Sequence, residues 1–277
     1  MALNRVEDNL GNIPDDKYEL IRPFSCNILR TQMEPELVTC MQDIFTTQSE
    51  DIDETSYYRT PKEVDNSYGL AGNNVKEFNI NEEMLDEVAT PLIVRALSDI
   101  SCKFYVSTIL NEWSYKKNVV TPLHAEIIER HLKDMALTVN IQDVWGNISI
   151  AGDFNPPHTH SGHVSGVAYF KLPDNIEKEW LLEDHDPSAG MINFWDGRSQ
   201  SLSLSSFKVK PVVGHLYCFP NWLNHSVWPF RSDGQRWSIS YNCEVYNQNN
   251  DLRLYDEEKD QLRDNRIKIL KEMEDAG

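Results

Sequence analysis

Three short stretches of this chain have the residue types and spacing to do chemistry: Gly152-Asp-Phe-Asn-Pro-Pro-His158-Thr-His160, Pro220-Asn-Trp-Leu-Asn-His225 and Arg236-Trp-Ser238. Two histidines one residue apart in an extended segment project to the same side, and a third from a distant strand can close one face of an iron or zinc ion. Arg236, eleven residues after His225, could then hold a carboxylate. A chain with eight histidines yields a His-x-His by chance roughly 0.2 times, so the doublet takes its weight from its surroundings. It follows a Gly-Asp-x-Asn-Pro-Pro turn signal and precedes the strand-like run Val164 to Leu172, which stops at Pro173.

A rival pair, His124-Ala-Glu126, sits in a stretch that reads as a short helix over residues 122 to 133. Residues two apart on a helix point about 200° away from each other and cannot share one metal. His124 and His131 are therefore expected at the surface, and His163, His185 and His215 are not expected to be ligands.

The elements that must position these residues change character along the chain. Residues 1 to 30 carry few strong signals. Pro35 to Thr46 puts Leu37, Val38, Met41, Ile44 and Phe45 on one helical face, which predicts a helix covering a sheet. Residues 47 to 80 read as irregular loop, and Asn81 as the cap of a longer helix from Glu82 to about Trp113, kinked or broken at Pro91. From Met135 the pattern turns to short β-rich runs: Met135 to Ile141, Ile148 to Ala151, Val164 to Leu172, Met191 to Trp195, Phe207 to Lys210, His215 to Phe219, Ser226 to Phe230 and Arg236 to Val245. Such runs, separated by Gly, Pro, Asn and Asp, suit a jelly-roll barrel. From Asp251 a charged segment predicts a solvated helix. The expectation is one domain over 1–277, with a helical and loop part at 1–133, a β core at 134–246 and a charged helix at 247–277.

The run from Trp145 to Val245, with His158-Thr-His160, Ser165-Gly-Val-Ala-Tyr169, Phe219-Pro-Asn-Trp-Leu-Asn-His225 and Arg236-Trp-Ser-Ile-Ser-Tyr-Asn242, resembles the 2-oxoglutarate/Fe(II)-dependent oxygenases. The resemblance implies a mainly β, cupin-like double-stranded β-helix with N-terminal supporting helices. It implies Fe(II) held by His158 and His225, with the position between filled by His160, and 2-oxoglutarate held by Arg236, Ser238 and Tyr169. It further implies a dioxygenase, most often a hydroxylase, that consumes dioxygen and releases succinate and carbon dioxide. One departure stands out: where the family has Asp or Glu, this chain has His160. A neutral imidazole there leaves the site one negative charge short, and Asp153 and Asp196 remain open as carboxylate donors.

Two other readings stand beside this one. Gly152 followed by His158-x-His160 also matches the opening of the cupin pattern, without the glutamate expected soon afterward, so a metalloenzyme that needs no 2-oxoglutarate is one. A non-catalytic jelly roll that uses Trp222, Trp228 and Trp237 as a contact surface is the other.

Composition bounds the remainder. With 277 residues, 40% of them apolar, the chain can bury a sizeable core. A net charge of −18 repels phosphate backbones and anionic lipid, which argues against general nucleic-acid binding or a membrane-surface role. No apolar stretch reaches membrane-spanning length and the first ten residues lack a secretory core, so a cytoplasmic protein is expected. Cys26, Cys40, Cys102, Cys218 and Cys243 are scattered without Cys-x-x-Cys spacing, which fits reduced thiols. Neither the substrate nor the oligomeric state is written in the sequence.

Overall fold

The computed structural model describes residues 3–7, 17–21, 26–50, 52, 74–81, 83–85, 87–116, 130, 135–182, 187–197, 204–247 and 268. The expected helices over 122–133 and from Asp251, most of the loop over 47–80, and His124, His131 and His185 lie outside the described residues.

The strands are β1 (Leu3–Glu7), β2 (Tyr18–Ile21), β3 (Ile28–Gln32), β4 (Lys76–Asn79), β5 (Leu137–Ser149), β6 (Asn155–His158), β7 (Val164–Lys171), β8 (Ile192–Trp195), β9 (Ser206–Val209), β10 (His215–Pro220), β11 (Asn224–Val227) and β12 (Arg236–Asn247). The helices are α1 (Pro35–Ser49), α2 (Ala89–Lys116) and the single turn α3 (Ile176–Glu179). A large antiparallel sheet runs β1-β5-β12-β7-β10-β3-β2, with β4 also paired to β5, and a small sheet runs β6-β11-β8-β9. From β5 to β12 the chain passes back and forth between the two sheets, giving β5-β12-β7-β10 against β6-β11-β8-β9. That order is the double-stranded β-helix the sequence led one to expect.

Alternation along β12 shows how the large sheet serves two chambers. Trp237, Ile239, Tyr241, Cys243 and Val245 join the apolar core beneath the helices, while Arg236, Ser238 and Ser240 line a cavity on the opposite face. Helix α1 opens on Pro35, whose missing N–H costs nothing in a first turn, and buries Leu37, Met41 and Phe45 at intervals of four. Phe45 stacks on Phe170 and Trp237 at centroid distances of 5.7 and 5.6 Å, which fixes the helix on the sheet. Helix α2 adds Ala89, Ile93, Leu97, Ile100 and Phe104 to the same core. A second, smaller core between the sheets holds Val167, Tyr169, Ile192, Phe194, Tyr217 and Phe219.

Several sequence expectations are corrected here. The runs Met135 to Ile141 and Ile148 to Ala151 belong to one strand, β5. Its pairing with β12 skips from Asp143 to Ile141, so Gln142 is a bulge that reverses which face the following residues occupy. Strand β6 went unread because Pro156 and Pro157 sit inside it; it lies at the edge of the small sheet, where missing donors cost no ladder bond. The Ser226 to Phe230 run is displaced, the strand being Asn224–Val227. Residues 76–79, expected as loop, form β4, and the quiet N-terminal region supplies β1, β2 and β3. Helix α2 begins at Ala89 instead of Glu82, and Pro91 lies in its first turn, where no intrahelical donor is lost. Asn81 caps only a turn, accepting from the backbone N–H of Glu83 and Met84, each at 3.1 Å.

Candidate active site

The two sheets bring the separated motifs together inside the barrel. His158 ends β6 and His225 lies on β11, where the two are direct cross-strand partners. His160 follows in the loop after β6, and its backbone N–H donates to the Asn221 carbonyl at 3.0 Å while the Asn221 side-chain amide donates to the His160 carbonyl at 3.1 Å. The doublet is thereby clamped to the turn that leads into His225. The three rings lie with centroids 4.3 to 5.0 Å apart, and one ring nitrogen from each falls within 4.8 Å of the others.

Backbone carbonyls orient two of these rings. His158 Nδ1 donates to the Pro156 carbonyl at 2.7 Å and His225 Nδ1 to that of Leu223 at 2.8 Å, which leaves both Nε2 lone pairs turned outward. His160 Nε2 lies 3.2 Å from His225 Nε2. Burial pushes all three imidazole pKa values down. For His158 the Pro156 contact opposes this only in part, His160 is lowered to about 4 by burial and then by the neighbouring His158, and His225 lies well below the usual range. At neutral pH the triad is uncharged and can offer three lone pairs, the condition a metal ion requires.

Arg236 opens β12 in the same cavity, 2% exposed. Its Nη1 donates to the Gly190 carbonyl at 3.0 Å and its Nη2 to Ser149 Oγ at 2.9 Å, and Nε has no partner among the described residues. Burial works against this charge, whereas Tyr169 and Asp153 favour it. An ordered guanidinium with an idle buried donor is suited to an anionic oxygen, which would complete it. Ser238 and Tyr169 line the cavity beside it. A bulge in β7, where pairing steps from Lys171 directly to Tyr169, sets Tyr169 opposite Ser238. Burial raises the Tyr169 phenol far above its ordinary range, with Arg236 only partly offsetting this, so its hydroxyl stays protonated.

The open carboxylate candidates do not join the group. Asp153 is buried and uses Oδ2 to accept from the backbone N–H groups of Val75 and Ile150, each at 2.9 Å. Among the described residues His158, His160 and His225 form a group without Asp153 or Asp196. His163 contacts the Val245 backbone and His215 contacts Tyr217, both apart from the triad. Trp237 is packed under α1 and shares no surface with the exposed Trp222 and Trp228, which removes the three-tryptophan contact face. Sequence reading missed Asn147, Asn155 and Ser240, which also line the cavity. Ser240 carried a signal, since polar residues recur at every second place from Arg236 within an apolar strand.

Residues 143–242 match the family described as "Putative 2OG-Fe(II) oxygenase". That segment is similar to 2OG-Fe(II) oxygenase domains. It contains the triad, Tyr169, Arg236 and Ser238. Among solved structures, a prolyl-4-hydroxylase from Pseudomonas putida is 14% identical, with a TM-score of 0.39 over 84% of this chain and 97% of that one. A Trichoplax adhaerens prolyl hydroxylase in complex with a hypoxia inducible factor peptide fragment is 12% identical, with a TM-score of 0.41 over 82% of this chain and 84% of that one. An oxidoreductase of the 2OG-Fe(II) oxygenase family from Burkholderia pseudomallei is 14% identical, with a TM-score of 0.28 over 38% of this chain; the chain spans 44% of that protein's length. No curated protein matches in sequence. No described helix of the chain is long and apolar enough to cross a membrane.

Proposed function

We propose that this oxygenase holds Fe(II) on His158, His160 and His225, takes the far carboxylate of 2-oxoglutarate on Arg236 with Ser238 and Tyr169 assisting, and hydroxylates an unidentified substrate. The observation that supports it best is the sharing of one buried cavity by three neutral imidazoles and a guanidinium with an idle donor. When bound, Fe(II) supplies the activation of dioxygen coupled to oxidative decarboxylation of 2-oxoglutarate to succinate and carbon dioxide.

The chain's own residues prepare the cavity. The carbonyls of Pro156 and Leu223 fix two imidazole tautomers, so lone pairs are presented without reorganisation. Arg236 supplies a planar, permanent charge, and the protonated Tyr169 can donate to the same anion. Phe194 and Phe219, packed against His225, keep bulk water from that ring. With three neutral ligands instead of two and a carboxylate, the ion keeps its full charge, which favours an anionic co-substrate. The remaining parts of the reading are that 1–277 acts as one catalytic unit with 134–246 as its core, and that it works in the cytoplasm; the absence of a disulfide among its cysteines is compatible with that setting.

Anaerobic titration with Fe(II) and then 2-oxoglutarate tests the proposal through the visible charge-transfer band. The band is expected in the parent protein. It should be lost in a His158→Ala/His225→Ala double variant, and Arg236→Ala should weaken 2-oxoglutarate at least about tenfold while leaving Fe(II) bound. Unchanged co-substrate affinity in Arg236→Ala would overturn the 2-oxoglutarate assignment and favour a cupin-type metalloenzyme.

A further inference from the structure

We propose that Asn74 is a positioning residue for the anion end of the site, setting the Ser149 hydroxyl that aims Arg236 and tying that arginine to the strand bearing His158. The proposal rests on the reading of Arg236 as the 2-oxoglutarate residue. It concerns a residue outside the 143–242 segment, contributed by the stretch just before β4.

The hydrogen bonds run in one direction. Arg236 Nη2 donates to Ser149 Oγ at 2.9 Å, and Ser149 Oγ donates to Asn74 Oδ1 at 3.1 Å. The Asn74 Nδ2 protons then go to Asn155 Oδ1 at 3.1 Å and Glu77 Oε1 at 2.6 Å. Every donor meets one acceptor, and each bond polarises the next. Ser149 is fully buried and Asn74 is 8% exposed. A serine hydroxyl rotates freely unless something fixes its proton. Asn74 Oδ1 draws that proton away from the guanidinium, so a Ser149 lone pair faces Nη2. Without Asn74 the hydroxyl loses its reason to stay turned, and the arginine loses a defined partner on that nitrogen.

The other end of the chain gives the contact its reach. Asn155 lines the cavity and opens β6, the strand that ends at His158. Asn74 therefore bridges the large sheet at β5 and β12 to the small sheet at β6. Glu77, which pairs with Asn147 across β4 and β5, holds the Asn74 amide in the orientation that makes both ends work.

The experiment measures 2-oxoglutarate affinity by anaerobic titration of the Fe(II)-loaded chain, together with Fe(II) affinity and the thermal midpoint of the metal-free chain. Asn74→Ala and Ser149→Ala are each expected to weaken 2-oxoglutarate about tenfold, with Fe(II) affinity changed less than about twofold. Because the two act through one bond, the double variant should be about as weak as either single variant. Arg236→Ala is the reference. If it loses 2-oxoglutarate while the other two bind like the parent, the relay is wrong and the co-substrate reading stands; if Arg236→Ala also binds normally, the reading itself fails. Losses in Asn74→Ala and Ser149→Ala that add in the double variant, or that track Fe(II) affinity and the thermal midpoint, would reduce Asn74 to a structural contact. Should Asn74→Ala not fold, Ser149→Ala, which removes a single hydroxyl, decides the matter alone.

Discussion

At the scale of single residues, the part of His160 in the proposed triad, at a place where the resemblance leads one to expect a carboxylate, is open to a direct comparison. His160→Ala removes a neutral donor from the triad and is expected to weaken Fe(II) about 100-fold, whereas His160→Asp returns a negative charge and should bind at least as tightly as the parent. Metal analysis after equilibrium dialysis reads both. If the two variants load Fe(II) like the parent, His160 is not a ligand. The residues of the proposed site drew attention in the sequence because the histidines and Arg236 stand in short, ordered motifs. Asn74 was not, since an asparagine in a turn-rich stretch looks like ordinary turn chemistry until the fold carries it 75 positions away to Ser149.

At the scale of elements, α1 packs on the large sheet, and Phe45 is the centre of that contact. Phe45→Ala deletes a fully buried ring that touches Phe78, Phe170 and Trp237, and is expected to cost about 3–5 kcal/mol in urea denaturation. Gly166 on β7 answers to a different limit. A Cβ there would meet the Tyr241 ring and lie 2.6 Å from the Tyr217 carbonyl oxygen, so Gly166→Ala should cost about 1–3 kcal/mol by the same measurement, because a paired strand cannot step aside. A parental midpoint for Gly166→Ala would show that β7 and β10 shift more easily than their pairing implies. The barrel strands were readable from alternation wherever alternation held. It failed at the Gln142 bulge, which split β5 into two runs, and at the prolines of β6, which hid a strand whose place at a sheet edge only the assembled fold reveals.

For the whole molecule, the three depressed imidazoles link stability to pH. In the unfolded chain they take up protons near 6.5, while in the metal-free fold His160 resists until about 4 and the others are lowered as well. The unfolded state therefore binds more protons through this window. The stability these groups contribute is present above about pH 6.5 and is lost as the pH falls toward 4. Urea midpoints at pH 7 and pH 5 should show the loss, and His160→Gln should make it shallower; an equal slope in that variant would mean His160 titrates normally. The pairing of His158 with His225 also has a kinetic consequence. The triad joins segments 65 residues apart and Arg236 meets Ser149 across 87, so both ends of the site depend on long-range contacts whose loop closure is costly. An ion that binds only the finished triad has little to grip in the folding transition state. It should leave the refolding rate nearly unchanged and slow unfolding instead, making iron a latch on the completed barrel and not a template for its assembly.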